Sequence, residues 1–228
     1  TRDLSPPGTV LFVNTPFPTL NEDAVPPHPV TIGPDCPTPY TTASIFNISA
    51  LSYGAISRPA VLALSRGAKL AGCWLNTGEG GLSPAHLEGG ADLVFQIGTA
   101  KNGVRDLDGR LDDTRLAALA AHPQVRLFEL KLSQGAKPGK GGILPGAKVS
   151  PEIAAIRGVR AGVDAISPNR HPEITDNDSL LDMVSHVRSV RGNVRPPHCC
   201  PQVCEDRLCE LGWARDTLAE PNPRTVAR

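Results

Sequence analysis

The sequence predicts an α/β fold of parallel strands joined by crossover helices, with a barrel preferred over a doubly wound sheet. Three observations carry this. Short β-type runs alternate with helical runs between residues 44 and 190, the order that builds parallel sheets. Glycine-rich or polar segments follow the strands, where parallel α/β folds place their ligand sites. Several different strand ends carry such segments, whereas a doubly wound sheet needs only one. Pattern alone leaves the doubly wound sheet open.

The elements follow in order. Residues 1–43 hold Pro6, Pro7, Pro16, Pro18, Pro26, Pro27, Pro29, Pro34, Pro37 and Pro39. Proline lacks the amide donor and fixes φ, so neither helix nor central strand is expected there. The segment reads as an extended arm wrapping a domain, or as a disordered leader. Ser44 to Ser49 is a short β-type run. Pro59 to Leu70 is a small-residue helix with Pro59 in its first turn and Ser57 as cap. Ala71 to Leu75 reads as a second strand and Leu93 to Ile97 as a third. Asp112 to Ala121 is helical, begun by Asp112 or Asp113 and stopped before Pro123. Val125 to Leu132 is a fourth strand, Pro151 to Val159 a helix capped by Ser150, and Val163 to Ser167 a fifth strand. Asp178 to Val190 repeats Leu180, Leu181, Val184 and Val187 at helical spacing.

Composition excludes several function classes. The 228 residues carry 23 basic and 23 acidic side chains and no formal net charge, which argues against a strongly basic nucleic-acid binder. Aromatics are 4%, too few for base-stacking platforms, and the apolar 40% is enough for a core. No apolar run approaches the roughly 18 residues of a membrane-spanning helix. Thr1 to Pro6 has no apolar signal core. Of six cysteines, Cys199, Cys200, Cys204 and Cys209 crowd into one stretch, unlike a disulfide framework. A reducing, cytoplasmic setting is expected.

The strand-end segments carry the candidate chemistry. Asn76 to Gly81 packs three glycines around Glu79. Such backbone approaches a flat or anionic ligand closely. The alternative is a tight structural loop with a solvated Glu79. Lys131, Gln134 and Lys137 follow the fourth strand, and two ammonium groups suit a carboxylate, a phosphate or an electron-rich ring. Alternatively Glu129, on the same strand face as Lys131, neutralises it. Gly139 to Gly142 lacks the spacing and the hydroxyl residue of a phosphate loop. His171, in a polar loop, is either functional or a surface group. The remaining histidines form no ligand spacing, so no metal site is expected.

Six ordered segments together resemble the FMN-binding domain of the glutamate synthase family, in its stand-alone subgroup. They are Ser49 to Ser57, Asn76 to Gly81, Gln96 to Thr99, Glu129 to Gly139, Leu144 to Val149, and Ile166 to Pro168. Asp35 to Tyr40 and Gly103 to Arg110 share the subgroup's context. The resemblance implies a TIM-type barrel with FMN at the C-terminal strand ends. It implies reduction of iminoglutarate, formed from 2-oxoglutarate and ammonia, to L-glutamate by reduced FMN. Carried onto this sequence, Ala50, Leu51, Ser52, Gln96 and Lys131 approach the flavin. Glu79, Gln134 and Lys137 surround flavin and dicarboxylate. An electron donor or glutaminase partner is implied for the family, while an iron–sulfur cluster is not expected here.

The sequence departs from the family pattern twice. Where an arginine helps to hold substrate in the family, this chain reads Ala100-Lys101-Asn102-Gly103, and Lys101, one residue out of register, is expected to replace its charge. After Val190 the resemblance stops, and Arg191 to Arg228 carries a proline- and cysteine-rich text in place of a sixth strand. The expected organisation is therefore an arm over 1–43, the N-terminal part of the barrel over 44–190, and an aberrant tail over 191–228. About five of the eight strands of a closed barrel are counted. The function expected is the flavin oxidoreductase reaction. The alternatives are an inactive truncated fragment, or a module that binds flavin or dicarboxylate without turnover.

Overall fold

The computed structural model describes residues 16–25, 28–34, 36, 39–134, 141–192 and 201–204, the last four and 191–192 as backbone only. The centre is a parallel sheet of β3 (Trp74–Asn76), β4 (Asp92–Ile97), β5 (Val125–Lys131) and β8 (Pro201–Cys204), in that order. Helix α1 (Arg58–Ala71) precedes β3, the short α2 (Pro84–Glu88) lies between β3 and β4, α3 (Asp113–Ala120) between β4 and β5, and α5 (Asn177–Gly192) between β5 and β8. Among the described residues this is an α/β fold, its arrangement consistent with a partial, unclosed β/α barrel.

Alternation along the strands sorts the side chains. Leu93, Phe95 and Ile97 of β4 and Phe128 and Leu130 of β5 point to the helices and are essentially unexposed. Phe95, Ile97, Phe128 and Leu130 pack with Leu116 and Leu119 of α3 and Val184 and Val187 of α5, and Leu93 joins the cluster under α1. Phe95 and Phe128 meet edge to face, centroids 5.8 Å apart, the arrangement favoured by aromatic quadrupoles. Leu75 of β3 packs with Ala68 of α1.

The opposite strand face is layered. At its base Arg126 pairs with Asp92 at 2.9 Å, and Asp92 also accepts from Tyr40 Oη at 3.0 Å. Above them Val94, Leu127 and Trp74 pack on Tyr40, Ile32 and Cys36. Tyr40 belongs to β2 (Tyr40–Thr42), antiparallel to β1 (Val30–Ile32). The proline-rich segment thus contributes a small ribbon that plugs this face, where the sequence suggested an extended arm or a disordered leader.

Helix signals hold where capping chemistry is explicit. Asp112 accepts from the Arg115 amide at 3.1 Å and Ser150 from Ile153 at 3.3 Å, opening α3 and α4 (Pro151–Arg157). Ser57 precedes α1 but makes no side-chain cap bond. Helix α1 runs to Ala71 and ends on Gly72 at φ 65°. The second strand accordingly begins at Trp74 rather than Ala71.

Three sequence expectations fail here. The tail over 191–228, expected to carry no sixth strand, supplies β8, which pairs parallel with β5. The first strand, 44–49, shrinks to a single parallel bridge between Ile48 and Leu75. Ser44 Oγ donates to the Phe46 carbonyl and Asn47 Nδ2 to that of Ser44, so local side-chain bonds take the backbone that a ladder would need. The fifth strand, seen as β7 (Ala165–Ser167), does not join the parallel sheet. It pairs antiparallel with β6 (Gly142–Leu144), with Ile143 opposite Ile166.

One buried group makes this fold sensitive to acid. His86 of α2 is fully buried, and its Nδ1 accepts from the Ser83 amide at 3.1 Å. Burial pushes its pKa down to about 4. Its folded pKa lies below its unfolded one, so its contribution is complete above the ordinary value near 6.5 and is lost as pH falls through 4. The shift corresponds to about 3 kcal/mol. Urea unfolding at pH 7.5 and pH 4 should show that loss, and His86→Gln should show a smaller one. Equal pH dependence in both proteins would contradict the assignment.

Candidate functional site

The third layer of the inner face is polar. Asn76 Nδ2 donates to Glu129 Oε1 at 3.0 Å, and Gln96 Nε2 donates to the same oxygen. Gln96 and Glu129 stand opposite each other on β4 and β5, Asn76 reaches Glu129 from the end of β3, and all three are buried. Glu129 therefore spends its charge on two amides and does not neutralise Lys131. Gln96 lies in this layer, beneath the strand ends.

The fourth layer lies at the C-terminal strand ends. Lys131, last residue of β5, donates to Glu79 Oε1 at 3.1 Å and to Gln134 Oε1 at 3.2 Å. Gln134 Nε2 donates to Glu79 Oε2 at 2.7 Å and to Thr99 Oγ1 at 3.1 Å. Glu79 and Lys131 side chains are 17% and 16% exposed, too enclosed for a solvated pair. The glycine loop is thus no loose turn around a solvated carboxylate.

Local backbone explains how Glu79 reaches Lys131. Residues 78–80 form one 3-10 turn after β3, and Gly78 sits at φ 63°. A Cβ there would lie 2.6 Å from the Ser52 amide nitrogen, so glycine lets the 51–53 backbone pack directly on the turn. At Gly98, after β4, a Cβ would lie 2.5 Å from the Cβ of Glu79. Asn102 Nδ2 fixes the turn by donating to the Glu79 carbonyl at 2.9 Å.

These groups line a cavity of about 180 Å³. Glu79, Lys131 and Gln134 form one wall, Ser52 and Ala55 another, and the β6–β7 ribbon a third, through Gly142 and Ser167 among others. Arg157, at the end of α4, also faces it. The residue is 5% exposed, its Nη2 donates to the Tyr53 carbonyl at 3.0 Å, and its buried Nε has no partner. Burial pulls it below the usual arginine range and Glu79 opposes this. Sequence reading missed Arg157, because a basic residue in the last turn of a helix reads as a response to the helix dipole.

The other candidates fall as follows. Ser52 lines the cavity, Ala50 is half-buried, and Leu51 is 40% exposed beside the glycine turn. Lys101 stands apart from the Glu79 set, buried, with its ammonium 2.8 Å from Glu173 Oε1. Lys137 lies outside the described residues, as do Cys199, Cys200 and Cys209. His171 is neither a surface nor a cavity-lining group; it is completely buried. Among the described residues no cluster of metal-binding side chains occurs, and no helix is long and apolar enough to cross a membrane.

Comparison with known proteins gives a consistent result. The family model described as "Conserved region in glutamate synthase" matches residues 23–196. The glutamate synthase large subunit-like protein YerD of Bacillus subtilis is 45% identical over 156 residues, covering 68% of this chain and 30% of that protein. The archaeal glutamate synthase [NADPH] of Methanocaldococcus jannaschii is 37% identical over 148 residues, covering 65% of this chain and 26% of that protein. The glutamate synthase large subunit-like protein of Rhizobium meliloti is 34% identical over 149 residues, covering 65% and 31%. The chain thus spans roughly 26–31% of the length of these curated relatives.

Proposed function

From the premise that the chain belongs to the glutamate synthase family, we propose that its strand-end cavity takes a dicarboxylate beside a flavin. In this reading the reaction class is reduction of a 2-imino acid to an amino acid. The observation that carries it is the Glu79–Lys131–Gln134 set facing buried Arg157 across one cavity. Two cations and a side-chain amide around so small a space match a short molecule with two carboxylates, of which 2-oxoglutarate is the family's example.

The residues present fit the ring of FMN. A cation stands at the strand end, and the Gly78–Ser52 contact, which a Cβ would fill, holds residues 50–52 along the rim. Ala50, Leu51, Ser52 and Lys131 would hold the ring, and FMN supplies the hydride when bound. Lys131 Nζ offsets negative charge beside the ring. Arg157 binds one substrate carboxylate by a forked contact, and Gln134 orients the other. Glu79 offers its carboxylate to the N–H of an iminium and so fixes which face of the imine is presented. Gln96 acts from below, holding Glu129 and the floor of the site. Lys137 joins the substrate cations in the full proposal.

Closure of the family's barrel around these strands, the ammonia source and the electron donor all belong to the same proposal. Calorimetric titration of the full chain with 2-oxoglutarate tests it. Saturable binding, competed by L-glutamate and absent with a monocarboxylate such as acetate, is expected. No binding with a folded chain would contradict the dicarboxylate reading. Binding of both ligands without turnover, given ammonia and reduced FMN, would favour a binding module over an enzyme.

A further inference from the structure

The segment 168–173 touches most of the polar groups at the strand ends yet contributes nothing to the cavity wall. Thr99 Oγ1 donates to the Pro168 carbonyl at 2.6 Å. The Gln134 amide donates to the Asn169 carbonyl at 3.0 Å. Ser133 and Arg170 form an antiparallel bridge. Lys101, buried and at φ 51°, holds Glu173 at 2.8 Å and ties the segment to the loop after β4. His171 lies at the middle of these attachments with no exposed surface.

The His171 ring makes one bond, from Nε2 to the Lys131 carbonyl at 2.9 Å. A carbonyl only accepts, so Nε2 carries a proton; burial pulls the ring's pKa down and keeps it neutral, which leaves Nδ1 bare. That bare nitrogen is buried without a hydrogen-bond partner, 4.0 Å from Glu173 Oε1. A histidine kept this dry is costly for a merely space-filling role, which an apolar residue would perform without an orphaned nitrogen. The bond falls at the end of β5: on the β4 side the register stops at Ile97 opposite Leu130, one residue short of Lys131, while on the other side β8 still pairs Cys204 with Lys131. Lys131 nevertheless has to aim its ammonium at two acceptors 3.1 and 3.2 Å away.

We propose that His171 is the positioning residue for Lys131, fixing its peptide plane through the Nε2–carbonyl bond. The Lys101–Glu173 pair holds the segment on which His171 is mounted. The proposal rests on the dicarboxylate reading for its ligand, not for its geometry. Groups that orient a binding side chain in this way typically change affinity by about 10- to 100-fold when removed, as judged from outer-shell partners of metal ligands.

The test uses the full chain, labelled with ¹³C-lysine, with the Lys131 ε-methylene signal assigned by its loss in Lys131→Met. Three variants are compared. His171→Gln places an N–H near the Nε2 position, His171→Asn stops short of it, and His171→Leu removes it. In His171→Asn and His171→Leu the Lys131 signal should move toward those of the exposed lysines, and affinity for 2-oxoglutarate should fall about tenfold or more. His171→Gln should retain both. A purely structural role would lower melting temperature without this Gln/Asn split. The proposal is overturned if folded His171→Asn keeps the Lys131 signal and the affinity, or if His171→Gln loses them as Asn does. Should His171→Leu fail to fold, the Gln/Asn pair decides. If the unsubstituted chain binds no dicarboxylate, the functional reading fails while the Lys131 signal still decides the role of His171.

Discussion

Replacing Lys131 by Met should weaken binding of 2-oxoglutarate by about 2–5 kcal/mol, roughly 30-fold or more, with little change in melting temperature. The side chain is 16% exposed and donates to both Glu79 and Gln134. Its removal leaves the Glu79 carboxylate at the cavity with Gln134 as its side-chain hydrogen-bond donor and Arg157 as the remaining cation, so an incoming carboxylate meets more repulsion and a missing partner. The outward face of β5, Phe128 and Leu130, is untouched and carries the packing. Calorimetry and a thermal melt on the same preparation separate these effects. A large drop in melting temperature with unchanged affinity would mean that the Lys131–Glu79 pair serves the fold.

Phe95→Ala should cost about 3–5 kcal/mol of stability, the range for deleting a buried aromatic ring. Phe95 is unexposed, stands edge to face with Phe128, and packs on the cluster that joins β4 and β5 to α3 and α5. Its neighbour Gln96 points the other way, into the polar layer with Glu129. The substitution therefore tests the alternation that puts the helices on one face and the site on the other. Urea denaturation is the measure. A cost below about 1 kcal/mol would contradict that placement.

Much of this architecture is legible in the sequence because each signal is local. Leu93 to Ile97 and Val125 to Leu132 are apolar runs bounded by turns, and both become strands of the parallel sheet. Asp112 and Ser150 announce their helices through caps that the structure contains. The Glu79, Lys131 and Gln134 side chains sit at strand ends 52 and 55 residues apart in sequence and meet in space.

What stayed hidden depends on contacts that no local pattern carries. The β6–β7 ribbon pairs Ile143 with Ile166, and Gly142, in a lysine- and glycine-rich stretch of sequence, masks the first strand. The short α2 opens with Ser83 and Pro84, yet its histidine is held by burial rather than periodicity. Ser44 and Asn47 sit in a β-type run but spend their side chains on nearby backbone. Arg157 looks like an ordinary helix-terminal base until the fold buries it against Tyr53. His171 looks like a loop histidine until β5 ends beside it.

The most direct test of the strand-end site is a visible absorption spectrum of the full chain after incubation with FMN and gel filtration. The account predicts a flavin band that elutes with the protein, shifted from free FMN, and reduced or lost in Lys131→Met. A folded chain that emerges free of flavin under the same conditions would contradict the flavin half of the proposal. It would leave the cavity formed by Glu79, Lys131, Gln134 and Arg157 as a dicarboxylate site alone.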